Sequence, residues 1–296
     1  MRFFLILAIS FSNLTANILT AQTLESWDSV TKINSIINAL PGKDTDVYIP
    51  PGMSESSDWE VMLDHLFAAN YSTANTQANA LGYDLIEFTD NTNAETYYVL
   101  EQSGAFTNYW GTYVYNLNAC RNELVIQSPH PRKGFNTAKQ GIYIFKTIDA
   151  LFYMLSGTHR CNSLTHSSCD GTTSVCSETD ISETYPISDL AHVTNAIWQT
   201  TTAYIHDHIS DTYFAQLHGF SKRDTDPFVI MSNGTRETPI PDYLSMLSIA
   251  LFDIDNTLTF KIGHIDLMWD RLLGLTNTQG RYINSSVALA KSIAYN

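Results

Sequence analysis

Apolar residues recur along this chain first at helical spacing and then at strand spacing. In "SWDSVTKINSIINAL" Val30, Ile33, Ile36 and Ile37 fall at three- and four-residue steps, the interval that lines one face of a helix. "DWEVMLDHLFAANY" repeats the interval with Asp58 as a plausible cap. "YDLIEFTD" and "TYYVLEQS" are short, rich in Tyr, Val and Ile, and separated by Asn-Thr-Asn, which predicts two strands joined by a turn. "YWGTYVYNL" and "ELVIQSPH" read the same way. Strand-like runs then alternate with helical segments through "AKQGIYIFKTI", "ALFYMLSGT", "DLAHVTNAIWQTTTAYIHDHI", "TYFAQLHGF" and "PFVIMSNGT".

That alternation predicts an α/β fold, a layered and mostly parallel sheet flanked by helices, with its site beyond the carboxyl ends of the strands. No internal repeat or linker interrupts it. Residues 22–296 therefore read as one α/β domain whose N-terminal lobe of helices and strands covers about 22–105. At 44% hydrophobic over 296 residues the chain can bury a large core.

Residues 1–21, with Arg2 ahead of an apolar run and small residues through Ala21, have the grammar of a signal peptide. A secreted or periplasmic protein is expected. No later run is long and apolar enough to span a membrane. Cys161, Cys169 and Cys176 crowd "CNSLTHSSCDGTTSVC", and Cys120 precedes a strand-like run. In an exported chain this predicts two disulfides, one inside the loop and one joining Cys120 to it, although four cysteines allow three pairings. A zinc cluster is the rival reading, and it lacks Cys-x-x-Cys units. Asn70, Asn233 and Asn284 stand in glycosylation sequons. A net charge of −14 argues against nucleic acid or an anionic membrane as partner.

Candidate chemistry gathers where apolar runs end. "LVIQSPHPRKGFNT", "LFYMLSGTHRC" and "YFAQLHGF" each place a histidine, His130, His159 or His218, just past a strand, which points to a shared site. In "SDLAHVTNAIW", Ser188 or Asp189 can cap a helix, and Asp189, His192 and Asn195 then fall near one face. A carboxylate beside an imidazole raises its basicity, so His192 with Asp189 can act as general acid or base, or as a metal ligand. The bland alternative is an N-cap on a polar helix face. Arg160 and Arg281 stand beside site-like turns in a chain with only 16 Lys and Arg, and their forked guanidiniums suit an anion. The expected partner is a small anionic substrate or peptide. His206 and His208 diverge on a helix, and His65 and His264 lie on apolar-periodic segments.

The series Trp110-Gly111, "SPHP" with "NT" close behind, "GTHRC", "SDLAH", "QLHGF" and "NTQGRYIN" resembles the secreted zinc-dependent hydrolases related to N-formylglutamate amidohydrolases and, more distantly, zinc carboxypeptidases, over roughly residues 108–285. The resemblance implies a phosphorylase/hydrolase-like sheet and a zinc ion held by His130 and His218 with a third ligand nearby. It also implies substrate contacts from Asn136 and Thr137. Neutral imidazoles suit zinc, and a hydrolytic site keeps one position open for water. The chain departs from the pattern at Gly134, where relatives would have an acidic residue. Asn136 can coordinate only weakly, and Asp189 is the nearest alternative.

"ALFDIDNTLTF" delivers Asp253 and Asp255 into a string that resembles the opening motif of the haloacid-dehalogenase phosphatases. That fold takes its later motifs from further strands, and too little chain remains after the string to supply them. Met246, Ile249, Ala250, Phe252 and Asp253 instead straddle a helical segment ending near "DNT", with "HIDLMWDRLLGL" as the next helix. Three functions rank in order. The first is an exported metal-dependent hydrolase of amides or esters next to an anionic group, with His130 and His218 on zinc, His192 and Asp189 moving protons, and Arg160 and Arg281 on the anion. A phosphoesterase is second, using Asp253 and Asp255 or a strand-end histidine with arginines. A catalytically silent binding relative is third.

Overall fold

The runs on either side of Asn-Thr-Asn pair as a hairpin, and the rest of the sheet grows from it. The computed structural model describes residues 23–104, 107–179 and 181–284. The expected signal peptide lies outside the described residues. In chain order the elements are β1 (Thr23–Trp27), α1 (Ser29–Ala39), α2 (Met53–Phe67), α3 (Tyr71–Ala80), β2 (Tyr83–Asp90), β3 (Thr96–Gln102), β4 (Thr112–Tyr115), β5 (Arg121–Ser128), α4 (Thr137–Thr147), β6 (Ala150–Leu155), β7 (Thr172–Thr173), β8 (Glu183–Thr184), α5 (Ile197–His208), β9 (Tyr213–Gln216), β10 (Val229–Met231), α6 (Tyr243–Ile254), β11 (Phe260–Ile262) and α7 (Thr278–Ile283).

The main sheet has seven strands in the order β1-β2-β3-β4-β6-β5-β9. It is the layered α/β sheet that the alternation predicts, and it is mixed. β1 with β2, and β6 with β5 and β9, run parallel, while β2 to β6 are joined by antiparallel ladders. Every residue of β6 is buried, as expected of a strand covered on both faces. Its side chains alternate. Phe152 and Met154 join Trp59, Met62 and Trp198 of α2 and α5, whereas Tyr153 and Leu155 join Ile33, Ile142 and Phe145 of α1 and α4. Each such fully buried side chain contributes roughly 1.5–3 kcal/mol relative to exposure.

The crossover from β5 through α4 to β6 leaves on one face of the sheet. α5, which precedes β9 on the other side of β5, packs on the opposite face. The carboxyl end of β5 is thus a topological switch point, the place where such sheets open a crevice.

Some expectations need correction. α2 begins at Met53, with the Gly52 N–H donating to Glu55 Oε2 at 2.7 Å, so Asp58 lies inside the helix and does not cap it. The segment from Asp189 does not form one helix. Leu190–His192 is a single 3-10 turn and α5 starts only at Ile197. "HIDLMWDRLLGL" is a series of turns: the Arg236 guanidinium donates to the carbonyls of Gly263, Asp266 and Trp269, groups a helix would have paired internally. β1 and α3 have no counterpart in the sequence pattern. Among the described residues no helix is long and apolar enough to cross a membrane.

Candidate metal centre

The chain leaves β5 at Ser128 and folds back at once, with the N–H groups of Lys133 and Gly134 donating to the His130 carbonyl at 3.2 and 2.7 Å. The turn sinks the His130 ring to 3% exposure. Neither ring nitrogen has a hydrogen-bond partner among the described residues. Burial first, then the positive Arg160, hold this imidazole well below its ordinary pKa, so it is neutral at pH 7 and keeps a lone pair.

Asp189 comes from the turn after β8 and is fully buried. Its Oδ1 lies 3.1 Å from His192 Nδ1 and 3.5 Å from His130 Nε2. Arg160 donates to Oδ2 through Nε at 3.0 Å and Nη2 at 2.5 Å. Burial opposes ionisation of this carboxyl, but His192 and the Arg160 guanidinium more than offset it and hold its pKa well below the usual carboxylate range. These partners explain why Asp189 makes no side-chain helix cap and why the expected helix does not start there. Ser188 anchors the turn: its hydroxyl donates to the Arg160 carbonyl and accepts from the N–H groups of Asn162 and Ser163. The His192 ring stacks on Tyr185 with centroids 3.7 Å apart and planes 3° from parallel.

One ligand atom each from His130, Asp189 and His192 lies within 4.8 Å of the others, an arrangement able to hold a metal ion. The donor set fits. Two imidazoles and a carboxylate are hydrolytic-metal chemistry, and a buried polar nitrogen with no partner is costly unless something binds it.

His218, expected as a ligand, stands beside this group. Its ring centroid is 5.1 Å from that of His130, and its Nε2 lies 2.6 Å from Gln216 Oε1. His159 has another task. Its Nδ1 accepts the Cys161 N–H at 3.0 Å, and burial followed by Lys133 and Arg132 takes its pKa down to about 4. Arg160 faces Asp189, and Arg281 pairs with Asp170 at 3.0 Å and with the Leu275 carbonyl at 2.8 Å. Thr137 is buried with its hydroxyl on the Gly134 carbonyl, while Asn136 is exposed in the left-handed region at φ 62°.

The string at 250–260 contributes no strand end. Asp253 is exposed within α6, and Asp255 closes the helix by accepting from the Thr257 N–H and hydroxyl. One expected disulfide is present, Cys161 to Cys176, inside the polar loop. The bridge from Cys120 is not: Cys120 is an exposed thiol beside Asp149. The role of Tyr185 had no signal in the sequence, because stacking on His192 requires the fold. No known family, curated protein or solved structure matches the chain.

Proposed function

We propose that the protein is a metal-dependent hydrolase that cleaves an amide or ester bond, with zinc held by His130, Asp189 and His192. The observation that carries this reading is the buried His130 ring, neutral and without a partner on either nitrogen, within reach of a buried carboxylate and a second imidazole. When bound, such an ion supplies a Lewis acid for the scissile carbonyl and lowers the pKa of water towards neutrality.

The chain's own residues prepare that chemistry. Arg160 fixes Oδ2 of Asp189 and leaves Oδ1 turned towards both histidines. Tyr185 fixes the plane of His192. His218, at the rim beside His130, is the group placed to take or return a proton. Both arginines are paired within the protein, so this reading does not require an anionic substrate. The Cys161–Cys176 disulfide supports an oxidising, extracytoplasmic destination.

A panel of chromogenic acyl amides and esters tests the reading. Activity is expected in zinc-replete protein, lost on chelation, restored by zinc and absent in Asp189→Ala. Turnover that survives both chelation and Asp189→Ala would sink it, and zinc binding without turnover would favour a silent binding protein.

A further inference from the structure

Next to the candidate site the half-buried Gln216 belongs to a chain of amides, with Gln127, Gln279 and Asn277 buried, whose orientation is dictated from three sides. The Thr202 hydroxyl donates to the Trp198 carbonyl at 2.9 Å, so its oxygen can only accept from Gln127 Nε2, also at 2.9 Å. Gln127 Oε1 must then face outward and accept from Gln216 Nε2 at 3.0 Å. Independently, the Leu190 carbonyl takes Gln279 Nε2 at 3.1 Å, which turns Gln279 Oε1 towards Gln216 Nε2 at 3.2 Å. Thirdly, the Gly280 N–H donates to Asn277 Oδ1 at 2.8 Å, which turns Asn277 Nδ2 to Gln216 Oε1 at 2.5 Å. A backbone carbonyl never donates and a backbone N–H never accepts, so all three anchors demand the same orientation of Gln216.

The consequence falls on His218. Its Nε2 is 2.6 Å from Gln216 Oε1, which is an acceptor only, so Nε2 must carry the proton. We infer that Gln216 is a positioning residue that locks neutral His218 as its Nε2–H tautomer, so that His218 offers the site Nδ1 alone. Through Gln279 the same amides grip the carbonyl of Leu190, whose turn carries Asp189 and His192. The use of Nδ1 as a proton acceptor rests on the hydrolase reading; the tautomer itself does not.

Long-range nitrogen–proton NMR spectra of the 15N-labelled full chain, treated with chelator and held at neutral pH, read the tautomer directly. His218→Gln assigns the resonances. The expected result is a single Nε2–H pattern in the wild type and its loss to a mixture in Gln216→Leu. A wild-type Nδ1–H pattern or an even mixture overturns the inference, as does a Gln216→Leu spectrum identical to the wild type. If Gln216→Leu does not fold, the wild-type spectrum decides. Because the sample is metal-free, an Nε2–H His218 in a protein that takes up no zinc would end the hydrolase reading and leave this inference standing.

Discussion

Gly134 and Gly219 meet backbone to backbone: a Cβ on Gly219 would lie 3.0 Å from Gly134 Cα, and one on Gly134 would lie 2.9 Å from Thr137 Oγ1 and 3.1 Å from the His130 carbonyl. The turn after β5 is closed so tightly that an acidic side chain at 134 has no room. The carboxylate comes instead from Asp189, on a segment distant in sequence. Gly134→Asp is therefore expected to lower stability by about 1–3 kcal/mol through overpacking and to leave zinc affinity no higher. Urea unfolding and zinc titration check both halves, and a stable variant that binds zinc more tightly would contradict the arrangement.

In the pair of Arg160 with Asp189 the carboxylate is closed off from solvent, since the Asp189 side chain is 0% exposed. Arg160→Leu leaves a buried carboxylate with His192 as its remaining close partner and no permanent positive charge beside it, and should cost about 3–5 kcal/mol. Lys261→Leu, at the half-exposed pair with Asp266, should cost less than about 1 kcal/mol. Equal costs in denaturant melts would show that Arg160 is not matched to that carboxylate.

The Cys161–Cys176 bridge closes a loop with a sequence separation of 15 next to Arg160. A closed loop of that length stabilises by about 3 kcal/mol, chiefly by restricting the unfolded chain. Cys161→Ser with Cys176→Ser should lose about that much, measured by thermal melting, whereas Cys120→Ser should change little because Cys120 forms no bridge.

Acid should weaken the contact between sheet and helix at Asp90. Burial raises its pKa, but Lys146 at 2.7 Å and the Thr92 hydroxyl outweigh that and bring it to about 2. The folded value lies below the unfolded one of about 3.9, so the stabilisation is complete above pH ~4 and disappears as pH falls towards 2. About 2 kcal/mol rides on it. Asp90→Asn should be less stable at pH 6 and should lose less between pH 5 and pH 2 than the wild type. Parallel stability curves for the two proteins would remove Asp90 from the acid response.

Local pattern revealed the strands that meet at the site, because β5 and β6 are apolar runs bounded by turns and a parallel sheet exposes the residues just past such strands. His130 and His218 were legible for that reason. α3 was not, since "YSTANTQANA" carries few apolar residues and is held by packing on α2 and β2. "SDLAH" misled because Asp189 is a good cap by residue type, and only tertiary structure supplies the partners that claim it. The periodic "HIDLMWDRLLGL" misled because Arg236, distant in sequence, takes its carbonyls. The pairing of His130 with Asp189 joins residues far apart in the chain, which no local spacing encodes.

The most direct test of the central claim is zinc content by mass spectrometry of purified protein, wild type beside His130→Ala, His192→Ala and His218→Ala. The account predicts about one zinc per wild-type chain, lost in His130→Ala and His192→Ala and kept in His218→Ala. A wild type that takes up no zinc when offered it, or zinc retained in full by His130→Ala and His192→Ala, would contradict it.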